Sequence, residues 1–182
     1  FDVINIAKDI NIKSNGAFDV TSAPLINLWG FGPNKSEKKI PTELEVSKAL
    51  ELVGQVQLVE LIPGLNQLKK ATPKVSINLS ALAKGYGIDM VASTLKKQKI
   101  RNFLVEIGGD LITSGTNKDG KAWTIGIEAP KVEKQIVQSV IKIKNQAMAT
   151  SGDYKNFFEK NGIRYSHIID PKTGYPIRHK TL

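Results

Sequence analysis

Cysteine is absent, which excludes disulfides and thiolate metal sites and leaves the redox compartment unreadable. Histidine is scarce: the two present, His167 and His179, do not form a pair at metal-ligand spacing. No apolar run approaches the ~20 residues that a membrane-spanning helix needs. The common nucleotide motifs are missing as well, with no P-loop and no G-x-G-x-x-G opening a helix. Internal repeats, low-complexity stretches and clear linkers are also lacking. The chain has no initiating Met, and Phe1 falls inside an apolar pattern (Phe1, Val3, Ile4, Ile6, Ile10) that reads as a helix already under way. Residues 176–182 stop without a closing element. The expectation is a domain incomplete at both ends, from which a targeting segment could have been lost.

What is present is ordinary for a globular chain. Its 182 residues, 41% hydrophobic and 24% charged, suffice for one sizeable domain. A net charge of +9 suggests an anionic partner. The lysines are dispersed (Lys38, Lys39, Lys69, Lys70, Lys96, Lys97, Lys99), without the interleaved aromatics of a single-strand binder. A basic solvated surface is the simpler reading, and nucleic acid is not the expected partner.

The chain is organised around residues 77–87, INLSALAKGYG. Val75 and Ile77 alternate with Lys74 and Ser76, the period of a half-buried strand. Ala81, Ile88, Val91, Ala92 and Leu95 then recur at helical spacing, and Ser80 can cap the first turn. Gly85 and Gly87 each cost this helix about 1 kcal/mol relative to alanine. Either something approaches the helix backbone closely or the glycines serve a tight helix–sheet contact.

From the start, a helix is expected to about Ile12, then a turn at Ser14-Asn15-Gly16 with Gly16 at positive φ. Asp19 or Thr21 caps a helix over Pro24 to Trp29, which Gly30, Gly32 and Pro33 end. A polar loop covers 34–39, and Thr42 opens a helix stopped by Gly54. A strand follows at 56–61, then a turn at Pro63-Gly64. The strand before the central helix and a buried strand at 102–107 make a β-α-β unit, with the two strands parallel. Gly108-Gly109-Asp110 turns tightly into Leu111-Ile112-Thr113, and strands follow at 122–128 and 139–144. A hairpin turn at Asn161-Gly162 leads into a strand at 164–169, closed by the turn at 170–174. The class is α+β.

Individually the chemical signals are weak. His167 sits mid-strand, where a histidine is often only hydrogen-bonded, and Glu106 and Asp110 flank a glycine turn that a solvated bend would explain. Asp19 is equally explained as a helix cap. Their combination carries more. GAFDVT at 16–21 with the following LWGFGP, NLSALAKGY at 78–86, VEIGGD at 105–110, TSGDY at 150–154 and YSHIIDPKTG at 165–174 occur in this order. So ordered, they resemble the ApbE family, the FAD:protein FMN transferases, over nearly the whole chain.

The resemblance implies a mixed sheet with packed helices in one domain over 1–182, related to the T-fold. It also implies FAD as substrate, Mg²⁺, and transfer of FMN to a Thr or Ser hydroxyl of an acceptor flavoprotein, such as a redox-pump subunit, with AMP released. The family is extracytoplasmic and often lipid-anchored at the membrane. Some members hydrolyse FAD to FMN and AMP instead, and a non-catalytic flavin-binding protein is a further alternative. By family position Ala17, Phe18, Asp19, Asn78, Lys84, His167 and Ile168 line the FAD site. Lys84 suits a pyrophosphate near a helix N-terminus, and His167 is the candidate to accept the hydroxyl proton. This chain departs from the family in carrying Asn78 where Asp is commoner, which removes a charge but keeps an acceptor. The family holds its Mg²⁺ through the carbonyl at the position of Ala81 plus an Asp and a Thr that would lie beyond Leu182. Asp19, Asp110 and Asp153 are the motif aspartates available in their place.

Overall fold

A computed structural model describes residues 1–33, 38–62, 64–129, 136–152 and 156–178. The chain forms two compact units, Phe1–Leu79 with Asn156–Leu182, and Ser80–Lys155. Both mix helices with small antiparallel sheets, so the α+β class holds.

The first unit begins with α1 (Asp2–Lys13), which carries Asp2 in its first turn and Lys13 in its last, each favourable to the helix dipole. It ends in a Schellman motif. Asn15 takes the left-handed conformation at φ 50°, its N–H reaches Ile12 O, and the Gly16 N–H reaches Asn11 O at 2.8 Å. Gly16 itself has φ 78°, as expected. Helix α2 (Ala23–Leu28) takes Pro24 in its first turn, and α3 (Glu43–Leu50) opens on a capping box between Thr42 and Glu45. The Lys39 ammonium and the Thr42 N–H and hydroxyl hold the Glu45 carboxyl at about 2, well below its ordinary 4.5. The apolar pattern expected to carry this helix to Val53 continues only as tight i→i+3 bonds from Leu52 and Val53.

A strand was expected at 56–61. Instead Gln55–Leu58 coils into a helical turn, α4, and β1 (Val59–Ile62) starts after it. The cause lies in tertiary contacts: Gly54 turns the chain at φ 140°, and the Asp19 carboxylate accepts the Gln55 N–H at 2.8 Å. Strand β1 pairs with β2 (Gln67–Lys70). Of the turn between them, Pro63 lies outside the described residues, as do 34–37 of the expected polar loop. The unit closes with the hairpin β8 (Phe157–Lys160) and β9 (Ile163–Ser166). Its two-residue turn has Asn161 at φ 54° and Gly162 at φ 72°, the geometry that suits a twisted ribbon.

Trp29 is the centre of this unit's core, fully buried beside Leu25, Val20 and Val75. Its ring stacks on Tyr165 at 5.5 Å, and its Nε1 donates to Gly174 O at 2.8 Å. Gly174 is there because nothing larger fits. It has φ 77°, and an added Cβ would meet Val46 Cγ1 at 2.6 Å.

The second unit is built on α5 (Ser80–Lys97), which packs Ile88 and Ala92 against β3 (Phe103–Ile107) and β4 (Asp110–Ser114). β4 also pairs with β7 (Ala147–Met148). The β3–β4 turn is Gly108-Gly109, at φ 57° and 90°. A separate ribbon pairs β5 (Trp123–Glu128) with β6 (Val137–Ile143) and shifts register at Ile127/Glu128.

The expected β-α-β unit with parallel strands does not form among the described residues, where every ladder is antiparallel. Burial follows the alternation, with Val75 buried and Lys74 and Ser76 exposed, but residues 74–79 lie outside the named strands. The Asn78 N–H reaches Val20 O at 2.7 Å, a contact to a loop where a strand would find a ladder. The central glycines divide between the two explanations. Gly87 lies against the sheet, with an added Cβ 3.4 Å from Ile107 Cδ1, whereas Gly85 faces open space.

Candidate functional site

Asp19 lies at the end of the loop after α1 and works as a junction, not as the helix cap that the sequence suggests. Its Oδ1 accepts from the Thr21 N–H at 2.7 Å and from the Thr21 hydroxyl, while Oδ2 accepts from the Gln55 N–H and from Asn11 Nδ2. Thr21, expected as the alternative cap, is fully buried, and its Oγ1 accepts the Gly54 N–H at 2.8 Å. Helix α2 begins instead after Ser22, without a side-chain cap. Asn11, only 5% exposed, donates to Phe18 O at 2.6 Å and so holds the preceding loop to α1. Ala17 is exposed, and Phe18 and Asp19 are half-buried. Through its bond to Val20 the backbone places Asn78 beside the same loop, so these four expected flavin contacts share one neighbourhood.

His167 and Ile168 lie just past β9, not within a strand as expected. The ladder ends because the Ile168 N–H turns to Ser166 Oγ at 3.1 Å. The His167 N–H donates to Asn156 O at 3.1 Å, and its ring Nδ1 lies 3.1 Å from the same oxygen. A carbonyl only accepts, so a hydrogen bond at this contact requires a proton on Nδ1. Phe31 meets the imidazole edge-on, ring centres 6.3 Å apart. Ile168 accepts the Ile177 N–H through its carbonyl, and the chain then turns at 170–174. There Lys172 Cε comes within 3.5 Å of where a Gly16 Cβ would stand.

An open cleft of about 710 Å³ lies in this unit, lined by Asn11, Asp19, Gly54, Gln57 and Lys172 and by an apolar wall of Leu50, Val53 and Val56. Among the expected flavin contacts it takes in Asp19 alone.

Lys84 and Ala81 belong to the second unit, on α5. Lys84 Nζ pairs with Asp110 Oδ2 at 3.0 Å and donates to Gly108 O at 3.1 Å, clamping the glycine turn. Glu106 Oε1 accepts the Gly109 N–H at 2.7 Å, and Asp110 Oδ1 accepts from Thr150 N. Both carboxylates therefore brace the turn, and the Lys84 side chain remains 42% exposed. Ala81 stands in the first turn of a helix that already begins at Ser80, so the helical ladder uses its carbonyl. Among the described residues no group of three or more His, Cys, Asp or Glu is placed to hold a metal ion. Asp153 lies outside the described residues.

Sequence reasoning missed Asn156 and the Asp19–Gln55 junction. Asn156 acts through its carbonyl, which any residue carries, and Gln55 is 36 positions from Asp19, so neither left a local signal.

The comparisons with known proteins agree on the family. The model of the ApbE family matches residues 1–182. The chain is 46% identical over 180 residues to the FAD:protein FMN transferase of Vibrio cholerae, covering 99% of this chain and 53% of that protein. It is 44% identical over 173 residues to the enzyme of the same name from Haemophilus influenzae, covering 93% and 50%. Among solved structures it resembles the flavin transferase ApbE from Vibrio cholerae, with TM-score 0.81 and 44% identity over 97% of this chain and 55% of that one. It also resembles the apo flavinyl transferase ApbE of Pseudomonas stutzeri, with TM-score 0.83 and 37% identity over 98% and 54%. The chain spans about half the length of the curated relatives it matches. With a family model matched from end to end, the chain belongs to the ApbE family.

Proposed function

We propose that the protein to which this chain belongs is an FAD:protein FMN transferase. The 46% identity to a protein of that name, extending over 99% of the chain, carries the reading. In the reaction, a Thr or Ser hydroxyl of an acceptor flavoprotein attacks the phosphorus that bears riboflavin. The bond from that phosphorus to the bridging oxygen breaks, AMP leaves with the oxygen, and the hydroxyl proton passes to His167 Nε2. Such a transfer asks for positioning and charge stabilisation more than for covalent help. Lys84 supplies a cation for the pyrophosphate, and Ala17, Phe18, Asp19, Asn78 and Ile168 form flavin contacts. The Mg²⁺ at Ala81, an acceptor of the redox-pump type, an extracytoplasmic setting and a lipid anchor enter this reading from the family alone, and no step above runs through the metal.

The test incubates the whole protein with FAD, Mg²⁺ and an acceptor flavoprotein domain. Flavin fluorescence that stays with the denatured acceptor is expected. Free FMN with an unlabelled acceptor would replace the transferase by an FAD pyrophosphatase. FAD retained without turnover would leave a flavin-binding protein.

A further inference from the structure

We infer that Phe31 and the Asn156 carbonyl are the positioning groups for His167, fixing its proton on Nδ1 and its ring plane so that Nε2 alone is offered as base. This rests on the reading of His167 as the proton acceptor. The observations are geometric. One carbonyl oxygen, Asn156 O, receives both the main-chain N–H and the ring Nδ1 of His167, each at 3.1 Å. Backbone and ring are therefore referred to a single point, just before β8 and opposite the end of β9.

The second restraint is aromatic. Phe31 stands edge-on to the imidazole at an interplanar angle of 67°, so rotation of the ring out of the Asn156 contact runs into it. Phe31 is itself held. Its N–H donates to Ile26 O at 2.9 Å, and its ring lies 5.7 Å from that of Phe158. Phe158 stacks on Tyr165 at 5.0 Å, and Tyr165 stacks on the fully buried Trp29. Thus the imidazole sits at the end of a run of rings anchored in the core. A base on a half-exposed turn would otherwise sample both tautomers and several ring orientations. Holding it in one state spares the reaction that search, and loose placement of reacting groups is costly in rate.

The tautomer can be read directly. In the whole protein the His167 resonances are identified as those that disappear in His167→Gln. In ¹⁵N-histidine-labelled protein, about two units above the ordinary imidazole pKa of ~6.5, long-range ¹H–¹⁵N correlation is expected to find the proton predominantly on Nδ1. Phe31→Leu should move His167 toward a mixture of tautomers and lower kcat about tenfold or more, leaving KM for FAD within about twofold. Phe31→Tyr, which keeps the ring, should retain both tautomer and rate.

A proton predominantly on Nε2 in the wild-type spectrum would overturn the inference, and so would a Phe31→Leu variant with tautomer and kcat unchanged. Should Phe31→Leu fail to fold, the wild-type and Phe31→Tyr spectra decide. The spectrum needs no turnover, so its outcome is independent of whether the protein transfers FMN.

Discussion

At the scale of single residues, two side chains carry the proposed chemistry and one glycine carries the fold. Lys84 bridges Asp110 and the Gly108 carbonyl and remains 42% exposed. Lys84→Ala is expected to weaken FAD binding by about ten- to a hundredfold, the range for losing a hydrogen bond to a charged group. Equilibrium titration of flavin fluorescence at physiological salt measures it, and unchanged affinity would make Lys84 only a brace for the turn. His167→Asn keeps a polar side chain but removes the base. FAD should stay bound while transfer slows by about a hundredfold or more. An equal loss of binding and rate would make His167 a flavin contact. Gly174→Ala is expected to destabilise the protein by about 2–4 kcal/mol, combining a left-handed conformation with overpacking against Val46. A denaturant midpoint within error of the wild type would contradict that account.

At the scale of elements, local chemistry was legible where Gly, Asn or a capping pair decides a turn or a helix start. The turns at Asn15-Gly16, Gly108-Gly109 and Asn161-Gly162 all show the positive φ that such residues admit at little cost. Thr42 with Glu45 three positions on marks the start of α3. That cap has a pH signature. The Glu45 carboxyl is lowered to about 2 in the folded state, so its contribution is complete above the ordinary 4.5 and disappears as the pH falls through about 2. The stability difference between wild type and Glu45→Gln, followed by denaturant midpoints, should shrink toward zero across that window. Because the pair with Lys39 is exposed, the difference should also shrink with salt. Two illegible elements were decided away from their own residues. Residues 55–58 coil because of a carboxylate 36 positions away, and residues 74–79 lie outside the named strands although their alternation suggested one. His167 leaves the strand because Ser166 turns its own hydroxyl to the Ile168 N–H, a local rule obscured by the apolar run around it.

At the scale of the whole molecule, the family was legible because five short motifs stand in one order, though each alone has an ordinary structural explanation. Of the expected flavin contacts, Ala17, Phe18, Asp19 and Asn78 lie around the loop after α1, and the cleft takes in Asp19 alone. The Asn156 contact to His167 was not legible, since it acts through a main-chain carbonyl. Among the described residues no three or more His, Cys, Asp or Glu gather at one point. The central claim is that the whole protein moves FMN onto an acceptor hydroxyl. Its most direct measurement is the intact mass of an acceptor flavoprotein domain after incubation with the whole protein and FAD, alongside the AMP released. The account predicts a mass increase of one FMN less one water on a Thr or Ser, with one AMP formed per modified acceptor. An acceptor of unchanged mass, with FMN and AMP accumulating together in solution, would contradict it.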